Sequence, residues 1–122
     1  MPFSDELVFL TRQLHLKMER RIQALRWKPP ADVYRSRNGW LIKLDLAGVR
    51  QEDIKVNING NFLSVSGRRV DLAREAGFQL QSLEIAYGEF ERVFEFPVSI
   101  EGARFLTDFR NGMLLVRILL GE

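Results

Sequence analysis

The sequence contains no cysteine and a single histidine. The first absence excludes disulfides, thiolate nucleophiles and cysteine-ligated zinc or iron–sulfur centres. The second leaves too few imidazoles for a histidine metal cluster and weakens the usual catalytic triads. No metal is expected. A Gly-x-x-x-x-Gly-Lys-Ser/Thr loop is missing, as is a Gly-x-Gly-x-x-Gly after a strand, so the common nucleotide sites are absent and no cofactor is expected. No apolar run approaches the length of a membrane span, and the start, Met1-Pro2-Phe3-Ser4-Asp5-Glu6, is acidic where a secretory signal would be basic. With cysteine missing as well, a cytoplasmic location is the expectation. Neither sign of charge dominates: eighteen Lys and Arg stand against sixteen Asp and Glu, a net +2. The isoelectric point of about 9.3 reflects that small surplus rather than a strongly basic surface.

What is present is a 122-residue chain, 46% hydrophobic and 28% charged, the profile of one soluble globular domain with a short appendage. Folding at this size buries roughly two-thirds of the surface that the unfolded chain exposes, enough to need no staple. The appendage is N-terminal. Leu7, Leu10, Leu14, Met18, Ile22 and Leu25 recur at spacings of three and four and predict an amphipathic helix over residues 4–26. Ser4 suits its N-cap, Asp5 and Glu6 its first turn, and Lys17, Arg20, Arg21 and Arg26 its later turns. Pro29 and Pro30 stop it. The division is an arm, 1–28, and a domain, 29–122.

Beyond the prolines the period changes to two. Trp40, Ile42, Leu44 and Leu46 alternate with Leu41, Lys43 and Asp45; Ile54, Val56 and Ile58 alternate with Lys55, Asn57 and Asn59; Phe90, Arg92, Phe94 and Phe96 alternate with Glu91, Val93 and Glu95. These are half-buried strands. Asn38-Gly39, Asn59-Gly60 and Asn111-Gly112 each fall between two such runs and predict hairpins with type I′ turns, since both residues of the pair tolerate positive φ. Short antiparallel strands point to an all-β, two-sheet sandwich rather than a βαβ fold.

From Arg68 to Gly77 the alternation breaks in a polar excursion, and apolar residues resume at Leu80, Leu83 and Ile85. A loop of that length inside a compact domain is commonly functional or reaches for a partner. Charge is also uneven: residues 1–30 hold six basic and three acidic groups, the remainder twelve basic and thirteen acidic. The sandwich itself therefore offers no basic nucleic-acid footprint.

Catalytic constellations are missing. His15 lies between Leu14 and Leu16 with no serine or carboxylate spaced to work with it, and Glu52-Asp53 follow an apparent turn where a solvated connection is favoured over an acid–base pair. The arm's stripe admits three readings: a membrane-surface helix, a segment that meets non-native chains or sister subunits, or a helix docked on its own domain. The acidic start counts against the first.

The run Glu84-Ile85-Ala86-Tyr87-Gly88-Glu89-Phe90-Glu91-Arg92-Val93-Phe94-Glu95-Phe96-Pro97 resembles the Glu-x-x-x-Gly-x-Phe-x-Arg-x-x-x-x-Pro signature of small heat-shock proteins, the α-crystallin-domain chaperones. Asn111-Gly112-Met113-Leu114 resembles their Ala-x-x-x-Asn-Gly-Val-Leu motif, with Thr107 in place of its alanine. Asp32-Val33-Tyr34, Leu44-Asp45-Leu46-Ala47-Gly48-Val49 and Leu63-Ser64-Val65-Ser66-Gly67-Arg68 follow the family's order, with Ala47 where a proline is common. Five motifs in register cover about residues 30–119. In physical terms, Gly88 and Gly112 mark turns, Phe90 and Leu114 are apolar strand positions, and Pro97 ends a strand. Arg92 shares a face with Phe90 and Phe94, and a carboxylate partner is expected there, Glu84 being one candidate.

The resemblance implies an immunoglobulin-like sandwich acting as an ATP-independent holdase for partly unfolded clients, not an enzyme. In the bacterial and archaeal branch it implies an extra strand, here Gln79, Leu80, Gln81, Ser82, Leu83, Glu84 and Ile85, that pairs with a neighbour's sheet edge to give a strand-exchanged homodimer. It also puts a partner groove beside Val56, Ile58, Phe105 and Leu106. The arm residues Phe3, Leu7, Leu10, Leu14, Met18 and Ile22 are the expected client-binding stripe. Family members continue into a polar tail with an Ile-x-Ile/Val segment; Ile118 and Leu120 have that spacing but prolong the last strand without a linker, so a dimer or small assembly is expected. A second reading is a co-chaperone or assembly module of the same fold that binds one folded partner. A third, an arm that binds RNA or anionic lipid, predicts affinity that collapses with salt.

Overall fold

Alternating residues place one apolar face on each strand, and two such faces must cover each other. The computed structural model describes residues 27–71 and 75–121; the helix expected over 4–26 lies outside them. Seven strands form among the described residues: β1 (Ala31–Ser36), β2 (Gly39–Asp45), β3 (Lys55–Asn59), β4 (Phe62–Arg69), β5 (Gly88–Glu95), β6 (Arg104–Arg110) and β7 (Met113–Leu119), with one 3-10 turn at Gln51–Asp53. They make a four-stranded sheet in the order β1-β2-β7-β6 and a three-stranded sheet in the order β3-β4-β5. All pairings within the two sheets are antiparallel. The expected all-β sandwich is what forms.

The inward residues are those that the alternation selects. Ile42, Leu44, Val116 and Ile118 from one sheet and Leu63, Val65 and Phe90 from the other are at most 1% exposed, and Leu46 and Ile100 close the ends of the same core. Trp40 packs on Phe96 at 4.7 Å between ring centroids. No polar side chain is buried among the described residues. Hydrophobic burial thus carries the sandwich, with no internal ion pair to complicate it.

Main-chain stitches fix how the sheets stack. Before β1, Trp27 bonds through its amide to the Glu89 carbonyl (3.2 Å) and pairs with Phe90 on the β5 edge, while Arg92 Nη1 donates to the Pro29 carbonyl at 2.7 Å. The chain enters β1 two residues after Pro29, so β1 and β5 share one side of the sandwich. The other two edges, β3 and β6, share the opposite side. After β5, Phe96 N and Ile100 N donate to the carbonyls of Asn61 and Gly60 (2.8 and 2.9 Å), tying the route toward β6 to the β3–β4 turn.

All three Asn-Gly pairs lie at hairpins, but only one forms the turn expected of it. Asn111 (φ 53°) and Gly112 (φ 77°) are both left-handed. At the β3–β4 turn the pairing of Asn59 with Phe62 leaves Gly60 and Asn61 as the central residues, and of these only Gly60 has positive φ. Gly39 is not left-handed at all: it pairs with Ser36 as the first residue of β2, and a Cβ there would lie 1.8 Å from the Ile118 carbonyl oxygen. Glycine serves there for close approach, not for turn geometry.

Gly39→Ala is therefore expected to cost about 3 kcal/mol by forcing β2 from β7, a loss of more than about 10 °C in Tm. Gly60→Ala, with nothing within 4 Å but φ at +62°, is expected to cost only about 1 kcal/mol. Thermal unfolding of the two variants checks this, and equal losses would refute the close-approach account.

Candidate functional site

A sandwich open on both sides leaves four edge strands, and each carries unpaired main-chain groups on its outer side. Those edges, with the excursion between β4 and β5, are where the described residues leave main-chain groups unpaired and apolar side chains exposed.

On one side, the edge strands β3 and β6 present apolar residues at the rim of the core. Val56 and Ile58 face inward opposite buried Val65 and Leu63, and Phe105 faces inward opposite buried Ile118. All three are half-buried and pack on the core rim. Leu106, expected with them, does not share their face: consecutive strand residues point to opposite sides, and Leu106 lies 40% exposed on the outer face beside Arg117. Phe109 takes that place two positions beyond Thr107, packed against the core. Period-two counting from Phe105 selects Phe109, a signal present in the sequence but not used. Ile118 is fully buried and Leu120 packs on the same core, with its amide bonded to the Asn38 carbonyl at 2.7 Å. These two side chains are spent within their own sandwich.

At the opposite side the excursion leaves β4 after Arg69 and returns at Gly88, the last residue pair of that ladder. Residues 79–85 form no strand within the chain and are exposed throughout. Phe78 is 78% exposed, Ile85 57% and Leu80 53%, an apolar ledge without cover. The outer edge of β1, whose residues from Asp32 to Ser36 are all exposed, has no strand partner among the described residues.

The neck of the excursion is held by one guanidinium that sequence reasoning missed. Arg69 Nε and Nη2 both donate to the Ala86 carbonyl (2.8 and 2.6 Å), and Nη1 donates to the Ala47 carbonyl at 2.9 Å. The same group lies 4.1 Å from the Trp27 ring centroid and 5.8 Å from that of Tyr87. Trp27 in turn donates through Nε1 to the Gly88 carbonyl at 3.1 Å and packs on Phe90 at 5.2 Å.

The motif residues take structural places. Gly88 opens β5 at φ 95°, Phe90 and Leu114 are buried, and Pro97 follows directly on buried Phe96. Arg92 does not meet Glu84. Its guanidinium finds the Pro29 carbonyl and stands 5.1 Å from the Phe94 ring, whereas Glu84 lies in the exposed excursion. The reason is local: β5 is an edge strand, and the chain entering β1 puts a carbonyl where a carboxylate was expected.

The acidic residues are likewise tied. Arg50 bonds Asp53 at 2.8 Å, with Arg68 at 3.7 Å from the same carboxylate, an ion-pair cluster rather than an acid–base pair. Asp108, 2.6 Å from Arg110, raises that guanidinium's already high pKa through its hydrogen bond and charge. No group of three or more acidic or histidine side chains that could hold a metal ion occurs among the described residues, and no helix there is long and apolar enough to cross a membrane.

Two-sheet topology, buried motif positions and apolar open edges define a class, the α-crystallin-type sandwich. The chain belongs to the Hsp20/alpha crystallin family, whose model matches residues 32–120. It is 33% identical over 90 residues to spore protein SP21 of Stigmatella aurantiaca, covering 74% of this chain and 53% of that one. It thus spans about half the length of that relative. Among solved structures, heat shock protein 16.0 from Schizosaccharomyces pombe superposes with a TM-score of 0.71 at 26% identity, over 80% of this chain and 90% of that one. The hspA protein of Xanthomonas axonopodis gives 0.65 at 27% identity, over 79% and 96%.

Arg92→Met leaves the Pro29 carbonyl without its donor and is expected to cost about 1–2 kcal/mol, whereas Glu84→Gln is expected to change stability by less than about 0.5 kcal/mol. Thermal unfolding of both variants decides between the carbonyl and the carboxylate as the partner of Arg92; a Glu84→Gln loss as large as that of Arg92→Met would restore the ion pair.

Proposed function

We propose that this chain is an ATP-independent holdase chaperone that covers exposed apolar surface on partly unfolded proteins and keeps them from aggregating. The observation that carries the reading is uncovered apolar chain on a family sandwich: Phe78, Leu80, Leu83 and Ile85 lie exposed in the excursion, and the outer edge of β1 has no strand partner among the described residues. The mechanism is passive and needs no covalent chemistry. Each Å² of apolar client surface covered contributes about 25 cal/mol, so a few hundred Å² gives weak capture that several sites strengthen together.

In this reading Gln79–Ile85 of one subunit adds as a strand to the β1 edge of a sister subunit, giving a strand-exchanged homodimer or small assembly. The ladder supplies affinity and alternate side chains supply register. The groove of Val56, Ile58, Phe105 and Phe109 takes an extended partner segment, and the arm stripe of Phe3, Leu7, Leu10, Leu14, Met18 and Ile22 holds clients. Such a protein works in the cytoplasm beside nascent and heat-damaged chains, as no part of its action needs an oxidising compartment.

A client enzyme heated with an equal mass of this protein is expected to scatter much less light than alone, and unchanged scattering overturns the assignment. Leu83→Asp with Ile85→Asp is expected to weaken the dimer at least about tenfold in sedimentation, while thermal unfolding of the sandwich stays put because both side chains lie outside the core. Recovery of one native partner at fixed stoichiometry, with no heat-dependent spread of clients, would favour the single-partner assembly module instead.

A further inference from the structure

Arg69 stands where three parts of the chain converge. Behind it is the root of the arm, Trp27, clamped between the guanidinium and Phe90. Ahead of it is the neck of the excursion, where Ala86 accepts two of its hydrogen bonds and Tyr87 lies beside it. Below it is the β2–β3 turn: Ala47 accepts a third bond, and the methylene stem passes within van der Waals reach of Gly48, a Cβ on which would lie 3.4 Å from Arg69 Cδ.

We infer that Arg69 is a positioning residue that couples the arm to the excursion, so that loosening either one loosens the other. The inference rests on the reading above, in which those two segments are the working surfaces, and adds the rule that joins them. Three features of the geometry carry it. The excursion is an eighteen-residue loop, 70–87, closed at its base by the Arg69–Gly88 pair. Trp27 bonds the two residues that follow Tyr87, through Gly88 and Glu89, so the arm's root and the excursion's return share one stretch of β5 edge. A single planar cation then serves both, face toward the indole and fork toward the Ala86 carbonyl, and displacing the indole removes the surface that holds that plane in place. Lysine offers a point charge in place of the fork and cannot reproduce both contacts.

By linkage the effect is reciprocal. A client that draws the arm away lowers the order of the excursion, and an excursion held in a sister sheet tightens the seat of Trp27. Dimer contact and client capture thereby communicate through one side chain, without a change in the core.

The test is a double-mutant cycle on the full chain without client, read by amide hydrogen exchange. In the strand-exchanged dimer, where the sister sheet protects residues 79–85, Trp27→Leu is expected to speed exchange over 78–87 by about tenfold, and Arg69→Lys by a similar factor. The double variant is expected to go no further than either single one. Exchange at Ile42 and Val116, deep in the core, is expected to stay unchanged, which separates coupling from general destabilisation. Where Trp27→Leu proves too unstable, Trp27→Phe keeps a ring and is expected to give a smaller shift in the same direction. Additive effects in the double variant, or a Trp27 change that leaves 78–87 untouched, overturn the coupling. Because no client is present, a failed aggregation assay leaves this result standing, and a failed cycle leaves the holdase assignment standing.

Discussion

Four strand edges are what the rest of this structure answers to. A barrel removes its edges by closing, whereas two stacked sheets of four and three strands cannot, and every open edge invites another chain. The β5 edge is occupied near its start by Trp27. The β1 edge has no strand partner among the described residues, and the excursion carries exposed apolar side chains. The β3 and β6 edges stand together over a half-buried apolar floor. Stability comes from the inner layer around Ile42, Leu44, Val116, Ile118 and Phe90, which needs nothing from outside. In the proposed reading recognition is left to the borders, so the two tasks draw on separate residues.

That separation explains which parts of the molecule were legible in the sequence. Strand positions follow from alternation, because burial on one face is a one-dimensional property: Trp40, Ile42 and Leu44 announce an inner face without knowledge of what lies above it. Hairpin positions follow from Asn-Gly for a similar local reason. Turn geometry does not, because a register decides which residues are central, and registers are set by pairing across strands. Gly39 looks like a turn glycine and is instead the point where β2 passes under the Ile118 carbonyl.

The site was read less well, for the same reason. Val56, Ile58 and Phe105 share an inward, half-buried face at the β3 and β6 edges, whereas Leu106, which the resemblance grouped with them, faces the other way because neighbours in a strand do. Arg92 was given a carboxylate because an arginine on an apolar face asks for one; a proline carbonyl answers that need equally, and only the path of the chain into β1 supplies it. Arg69 carried no signal of its own. Its partners are two carbonyls and two rings drawn from three distant segments, a convergence that no spacing rule encodes.

Among the described residues, the excursion's backbone joins no ladder between Arg69 and Gly88, where the β4–β5 pairing closes its base. Closing a loop costs entropy that grows only with the logarithm of its length, about 0.6 kcal/mol for each doubling. Insertions or deletions there leave the inner layer untouched. If the excursion chooses the partner, as proposed, descendants of this sequence can trade one set of associates for another by editing a single stretch of chain, while the scaffold that displays it drifts hardly at all.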